Sequence, residues 1–131
     1  MSVAHATPPT KMSAITYADY TLPAGMRFTP TLSTYEISKL TLKPGGTVGW
    51  HSHDGPVLIE VTHETLVGYT AVGDKCVRLH KKAGQALAEQ AGRVHTISNA
   101  GKTNLVFMAV VNHAKGTPVV IDQERPANCP R

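Results

Sequence analysis

The chain has 131 residues and a formal charge of +4 with its histidines neutral. That length fits one domain with one hydrophobic core, and an apolar content of 41% argues against a disordered chain. Lys and Arg are scattered and aromatic residues make up 5% of the sequence, which does not match the basic, aromatic-bearing surface of nucleic-acid binders. No apolar run approaches the roughly 20 residues that a membrane helix needs. We therefore expect neither nucleic acid nor a membrane as a partner.

Short strands separated by turns are predicted along most of the chain, because its glycines and prolines are spread throughout. Residues 1–12 are small, polar and proline-bearing, and are predicted to form a flexible N-terminal arm. A barrel domain is predicted over residues 13–121 and a C-terminal tail over residues 122–131. The predicted strands are 34–42, 47–53, 57–61, 65–71, 76–80, 85–88, 94–98, 104–111 and 118–121.

Turn signals separate these strands and recur roughly every 8 to 12 residues, which is typical of a β-sandwich or barrel. Residues 84–91 contain good helix formers, but the segment is short and is flanked by glycines. The sequence therefore predicts an all-β domain. The predicted turns are 43–46, 54–56, 62–64, 72–75, 90–93 and 99–102.

One glycine-containing segment places two histidines close together: Gly45-Gly-Thr-Val-Gly-Trp-His51-Ser-His53. Side chains alternate between the two faces of a strand, so His51 and His53 are predicted to point to the same side. Two neighbouring imidazoles can chelate one divalent metal. An H-x-H pattern alone is weak evidence, because exposed strands also carry histidine by chance.

A second segment pairs glycine with histidine, running from Gly84 through Gly92 and His95 to Asn99. Together the two segments resemble the two motifs of the cupin superfamily, G-x5-H-x-H-x3,4-E-x6-G and G-x5-P-x-G-x2-H-x3-N. The resemblance covers approximately residues 34–112. It implies a small single-domain monocupin with the cupin-type double-stranded β-helix, also called a jelly-roll barrel.

The resemblance also implies a metal site made by His51, His53 and His95. One divalent metal ion per chain is expected, and imidazole ligands alone do not choose among iron(II), manganese, nickel, copper(II) and zinc. Three neutral imidazoles leave the full charge on the metal, and they leave coordination positions open for water, substrate or dioxygen.

The sequence departs from the first motif at its glutamate ligand, where it has Val57, or Leu58 by the longer spacing. Neither side chain can bind a metal. The final glycine of that motif is replaced by Glu64 and the proline of the second motif by Gln90. Turns can be rebuilt from other residues, whereas the lost carboxylate changes the chemistry. A site without it fits a bidentate anionic ligand better, because no protein carboxylate lowers the charge of the metal.

Several other polar residues are predicted to lie outside the site. His63 is expected in an exposed turn, and His80 and His113 are expected at strand ends, in contact with solvent. Glu60 is expected on the surface or at a dimer interface, and Asn99 is expected to cap a turn.

The sequence does not single out a general acid or base. Val57, Ile59 and Phe107 are candidates for the wall of an apolar cavity, which would favour a substrate with a small hydrophobic body and a chelating head. The residues that stay open as acid or base candidates are Glu64, Tyr69 and His113.

The two cysteines, Cys76 and Cys129, are either free thiols or one disulfide, and no C-x-x-C pattern is present. Ala4-His5-Ala6 is similar to the end of a secretory signal peptide, although no hydrophobic segment precedes it. Together, these features favour an exported or periplasmic protein.

Three functions are compatible with this sequence. The first is a divalent-metal-dependent enzyme, dioxygenase-like or an isomerase or lyase, that acts on a small chelating organic substrate. The second is a binding or sensing module that holds a metal or a small ligand without turnover. The third is a structural or storage role, in which oligomerisation matters more than the cavity. A homodimer is expected in each case, because cupins often dimerise by sheet packing or strand exchange.

Overall fold

The computed structural model describes residues 8–21 and 34–131, with residues 19–21 described for the backbone alone. These ranges contain ten strands and no helix, and so no helix that could cross a membrane. The predicted all-β fold is confirmed. The strands are β1 (Thr10–Thr21), β2 (Thr34–Thr47), β3 (His51–Ser52), β4 (Val57–His63), β5 (Thr65–Val72), β6 (Lys75–Lys82), β7 (Ala86–Glu89), β8 (His95–Ser98), β9 (Leu105–His113) and β10 (Ile121–Asp122).

The strands pair antiparallel and form a nearly closed barrel with two walls. One wall, the β9 wall, contains β1, β2, β9, β4 and β7 in that order. The other, the β8 wall, contains β10, β3, β8, β5 and β6. The end of β2 links the two walls, because Thr47 pairs with Ser98 of β8.

The core lies between the two walls and follows from the alternation of side chains along each strand. In β4, Val57, Ile59 and Val61 are buried, while Leu58 and Glu60 between them are exposed. The same alternation turns every second residue of β9 inward, from Leu105 to His113. Full burial of one such aliphatic or aromatic side chain contributes about 1.5–3 kcal/mol. Core residues from other strands and loops include Leu42, Val48, Leu66 and Ile97.

The turn predicted at residues 43–46 is wrong, because β2 continues through it to Thr47. The pairing of β1 with β2 shifts register over this segment, as expected for a β-bulge. Gly45 has a φ of +78°, and a Cβ at Gly46 would lie 2.9 Å from the carbonyl oxygens of Lys11 and Lys43. The two glycines therefore bend the strand instead of ending it.

Three other segments differ from the prediction. The strand predicted at 47–53 is reduced to β3, and Gly49 just before it has a φ of +76° that interrupts extended backbone. The turn after β4 is shifted to Glu64, which has a φ of +67°. The last strand, β10, begins at Ile121 instead of residue 118.

Strand β1 has no counterpart in the prediction. It pairs with β2 from Thr10 onward, so strand pairing begins inside the segment predicted as an arm. Residues 1–7 of that segment lie outside the described ranges.

The C-terminal segment is attached to the β8 wall by a disulfide between Cys76 and Cys129, which resolves the two alternatives left by the sequence. Cys129 is buried, and Asn128 beside it donates a hydrogen bond to the carbonyl oxygen of Asp74. The bridge closes a loop with a sequence separation of 53 residues. It therefore restricts the unfolded chain considerably.

We expect the double variant Cys76→Ser/Cys129→Ser to lose about 4 kcal/mol of unfolding free energy, because the loop-closure entropy of the unfolded chain is restored. Urea denaturation followed by far-UV circular dichroism measures this loss. Reduced wild-type protein should show the same loss. Equal midpoints for oxidised wild type and variant would contradict the prediction.

Candidate metal centre

Three histidines from two strands of the β8 wall meet inside the barrel. His51 opens β3, His53 follows it, and His95 opens β8 directly opposite His51 in the ladder. Their ring centroids lie 4.9 Å apart for His51 and His53, 4.3 Å for His51 and His95, and 5.3 Å for His53 and His95. All three side chains are buried. The structure therefore brings together the three residues that the motifs singled out.

Backbone carbonyls orient each of the three rings. A carbonyl oxygen can only accept a hydrogen bond, so the Nδ1 atom facing it carries the proton and donates. Each neutral ring then keeps a lone pair on Nε2. The bonds run from His51 to Gly49 at 2.8 Å, from His53 to Val119 at 2.7 Å, and from His95 to Arg93 at 2.9 Å.

The donor set fits a divalent metal ion. One ring nitrogen of each histidine lies within 4.8 Å of the corresponding atoms of the other two. The Nε2 atom of His95 is buried and has no hydrogen-bond partner in the part of the chain that the structure describes. A buried lone pair without a partner is costly unless a cation or donor meets it. Backbone carbonyls on Nδ1 are also the usual outer contacts of metal-binding histidines.

Burial keeps these rings neutral. Desolvation lowers the pKa of His51 to about 4, against the partly opposing effect of its bond to Gly49. Desolvation, with a further contribution from the neighbouring His51, lowers the pKa of His95 to about 3. The pKa of His53 is also lowered, again mainly by burial. At neutral pH all three rings therefore hold the lone pairs that a metal requires.

A cavity of about 370 Å³ lies next to the three rings. Val57, Ile59 and Phe107 line it, as the sequence predicted, so its wall on that side is apolar. Val57 occupies the motif position of the missing glutamate and is buried, while Leu58 points outward and is 62% exposed. The change from carboxylate to valine therefore enlarges the apolar part of the cavity.

None of the three acid or base candidates lines the cavity. Glu64 accepts a hydrogen bond from Thr103 at the turn after β4. Tyr69 lines a separate groove together with Trp50 and Arg78.

For His113, the prediction of a solvent-facing strand end is wrong. The residue is 6% exposed, because β9 extends two residues past the predicted end at 111 and alternation turns residue 113 inward. His63, His80 and Glu60 are exposed, as predicted. Asn99 caps its turn as expected, accepting from the Gly101 N–H and donating to the Thr103 carbonyl.

The sequence reasoning missed three acidic residues. Glu36 and Asp122 line the cavity. Glu89 is 2% exposed and accepts a hydrogen bond from Thr70 at 3.1 Å, and burial raises its pKa. Strand parity could have found Glu36, since it shares a face with Leu40 and Leu42 in the strand predicted from residue 34.

Known proteins with similar sequences or folds agree with this architecture. No protein-family model matches the chain. An oxalate-binding protein from Thermotoga maritima is 34% identical over 75 residues, which cover 57% of this chain and 60% of that protein. An oxalate oxidase structure has a TM-score of 0.58 at 21% identity, covering 66% of this chain and 45% of the oxidase. A cupin superfamily protein from Desulfitobacterium hafniense has a TM-score of 0.55 at 15% identity, covering 82% of both chains.

The chain has the cupin fold. The jelly-roll architecture predicted from the two motifs is thereby confirmed, and the cupin barrel carries three histidines close together on its inner wall. The chain spans 60% of the oxalate-binding protein and 45% of the oxalate oxidase.

We expect the metal-free protein to lose stability as the pH falls from 6.5 towards 5. The folded-state pKa values of His51 and His95 lie below the unfolded value of 6.5, so in this window the unfolded chain binds protons that the folded chain does not. The free energy of unfolding is therefore highest above pH 6.5. Below that pH it falls by about 1.4 kcal/mol per pH unit for each such histidine. Urea unfolding of chelator-treated protein measures the slope.

His95→Asn provides the matched control, because the amide can still donate to the Arg93 carbonyl but does not titrate. Its unfolding free energy should depend less steeply on pH. If the unfolding free energies of wild type and variant changed equally steeply with pH, His95 would not be held neutral by burial.

Proposed function

We propose that this cupin holds one divalent metal ion through His51, His53 and His95 and acts on a small organic acid that chelates the metal. The observation that carries the proposal is the convergence of three buried imidazoles, with their Nδ1 atoms committed to backbone carbonyls, on an apolar cavity of about 370 Å³. Such a cavity has the size and character of a small-molecule site.

Residues of the barrel supply orientation and exclusion of water. The carbonyls of Gly49, Arg93 and Val119 hold the three rings in one tautomer, and Val57 and Phe107 keep the adjacent space apolar. A divalent metal bound here supplies Lewis acidity, and iron also supplies redox chemistry with dioxygen. Because position 57 is a valine, no carboxylate ligand from that position would lower the charge of the metal, which favours an anionic ligand.

Small carboxylic acids are the substrate class that we favour. The names of two relatives refer to oxalate, one as a binding protein and one as an oxidase. Oxalate is a bidentate anion, and bidentate chelation requires two open metal positions. Three protein ligands leave room for them on a six-coordinate metal. The proposed reaction is oxidation of the dioxygenase-like type, and metal-assisted isomerisation or elimination fits the same site.

Binding without turnover is the second candidate, and the name of the oxalate-binding relative favours it. Oxygen uptake separates the two functions. Iron-loaded protein that consumes dioxygen with a chelating acid is an enzyme. Protein that binds the acid with any of the five metals, and turns over none of a broad panel of acids, thiols and diketones, is a binding module.

We expect wild-type protein to bind one metal ion per chain and His51→Ala, His53→Ala and His95→Ala each to lower the affinity by at least about 100-fold. Removing a ligand should cost more than removing an outer contact, which typically costs 10- to 100-fold. Isothermal titration with Zn²⁺ measures the affinity. Elemental analysis of the protein as purified measures the number of metal ions per chain. His80→Ala, on an exposed histidine, should bind like wild type. Full Zn²⁺ affinity in the three variants would overturn the proposed centre.

An exported location and a homodimer complete the proposal. The Cys76–Cys129 disulfide supports an oxidising compartment, since such bridges rarely persist in the cytosol. The outer face of the β9 wall supports the homodimer. Ile37, Val110, Leu58 and Ala88 lie in one cross-strand row on that face. Ile37 is 38% and Leu58 62% exposed, so this row presents apolar side chains to solvent.

Charge along the neighbouring row makes this face self-complementary. Lys39 and Glu60 both pair with Met108, from opposite sides of β9. A two-fold axis parallel to β9 would place each lysine against the glutamate of the second copy. The same rotation would stack the two apolar rows on each other, as isologous dimers require.

We expect Leu58→Glu to shift the protein from dimer to monomer, because it places a charge in the centre of the apolar row. Sedimentation velocity measures the mass. Val77→Glu alters an exposed valine on β6 of the other wall and should leave the dimer intact. A wild-type protein that sediments as a monomer would contradict the homodimer.

A further inference from the structure

We propose that Glu36, with His113 beside its carboxylate, forms a second recognition site in the cavity, and that this site selects substrates carrying a hydrogen-bond donor, above all an ammonium group, at the end remote from the metal-chelating acid. The inference rests on the proposed metal centre and adds the substrate class. It assigns a role to two groups that the three-histidine site does not use.

The position of Glu36 places a carboxylate on the wall that faces the histidines. Glu36 belongs to β2 of the β9 wall, whereas His51 and His95 belong to the β8 wall, and all three line the same cavity. Packed sheets lie about 10 Å apart. A ligand of a few carbon atoms can therefore contact the metal centre with one end and Glu36 with the other.

Hydroxyl groups hold the carboxylate of Glu36 in place. Its Oε1 atom accepts a hydrogen bond from Thr16 at 3.0 Å and is 3.5 Å from the hydroxyl of Ser38. Both of these residues also line the cavity. The Oε2 atom points instead towards His113, whose Nε2 lies 3.9 Å away.

His113 presents a second hydrogen-bond acceptor beside that oxygen. Its Nδ1 lies 2.9 Å from the Ala114 carbonyl oxygen, which can only accept, so Nδ1 donates there and Nε2 is the ring nitrogen that faces Glu36. Within the described ranges, Nε2 of His113 is buried and lacks a hydrogen-bond partner. The side chain is 8% exposed. A buried acceptor of this kind calls for a donor.

A direct bond between Glu36 and His113 does not meet this requirement, because 3.9 Å is too long for a hydrogen bond. The carboxylate of Glu36 lines the cavity and can accept a hydrogen bond from a ligand there, and Nε2 of His113 beside it adds to the negative potential. An ammonium group donates to this carboxylate and also matches its charge. A hydroxyl group donates without matching that charge.

The charge of Glu36 disfavours a second free carboxylate at this end of the cavity. Asp122 also lines the cavity, but it lies on the opposite wall, paired with His51. Oxalate bound wholly at the metal would leave Glu36 unused. A longer diacid would place its far carboxylate against Glu36, so the pocket is better suited to a zwitterion with an anionic chelating head, a short apolar body and a cationic end.

The test uses Co²⁺-loaded protein and α-hydroxy acids that share one chelating head and differ at the far end. The four-carbon probes are 2-hydroxybutanoate, 4-amino-2-hydroxybutanoate and 2-hydroxysuccinate, which end in methyl, ammonium and carboxylate. The five-carbon probes are 2-hydroxypentanoate, 5-amino-2-hydroxypentanoate and 2-hydroxyglutarate. Changes in the visible Co²⁺ spectrum give the dissociation constants and show that the head binds at the metal.

We expect the ammonium probe of at least one length to bind about tenfold or more tightly than its methyl partner, and the carboxylate probe to bind more weakly than both. Glu36→Gln should abolish the preference for ammonium and improve binding of the carboxylate probe. His113→Asn, which keeps the donor to Ala114 and removes Nε2, should reduce the preference in part. Asp74→Asn changes an exposed carboxylate at the turn between β5 and β6 and should have no effect.

Equal affinity for the three end groups at both lengths, unchanged by Glu36→Gln, would overturn the second recognition site while leaving the metal centre intact. Wild-type protein that takes up no Co²⁺ would overturn the metal centre and this inference together. Retention of the Co²⁺ spectrum in Glu36→Gln shows that any loss of selectivity comes from the far end of the ligand and not from damage to the metal site.

Discussion

The hydrogen bonds from three histidine Nδ1 atoms to backbone carbonyls are the interaction on which the rest of the site depends. They determine the tautomer of each ring and leave the lone pair on Nε2, in a site where one ring nitrogen of each histidine lies within 4.8 Å of those of the other two. Two of the carbonyls belong to residues two positions before the histidine, so local backbone shape orients His51 and His95. The third belongs to Val119, which is distant in sequence. The orientation of His53 therefore depends on the C-terminal segment.

That dependence gives the C-terminal segment a role in the site. β10 pairs with β3, and Gln123 donates a backbone hydrogen bond to the Trp50 carbonyl. Beyond them, the Cys76–Cys129 disulfide anchors the segment to β6. The segment from Val119 to Cys129 thus orients His53, a proposed metal ligand, at its first residue. At its last residue it is fixed to the barrel by the disulfide. Stability of the fold and geometry of the proposed metal centre are linked through this segment.

Strand alternation accounts for both the correct and the incorrect sequence predictions. Because side chains alternate with a period of two along a strand, the sequence correctly predicted that His51 and His53 share a face and that Val57, Ile59 and Phe107 line the cavity. The same rule applied to a longer β9 buries His113. The prediction failed there because it ended the strand at residue 111, and a strand end is decided by pairing with neighbours. At residues 43–46 the glycines were interpreted as a turn, whereas pairing with β1 carries the strand through them as a bulge.

The sequence by itself determined the all-β class, the three histidines and the apolar character of the cavity. The class and the cavity wall follow from turn spacing and local alternation, and the three histidines follow from the resemblance of two short segments to the cupin motifs. Tertiary structure decided what faces those histidines. The placement of Glu36 on the opposite wall, the burial of His113, the contact of Val119 with His53 and the disulfide all depend on which strands pair and in what register. Contacts between residues so distant in sequence leave no periodic pattern along the chain, so only the closed barrel shows them.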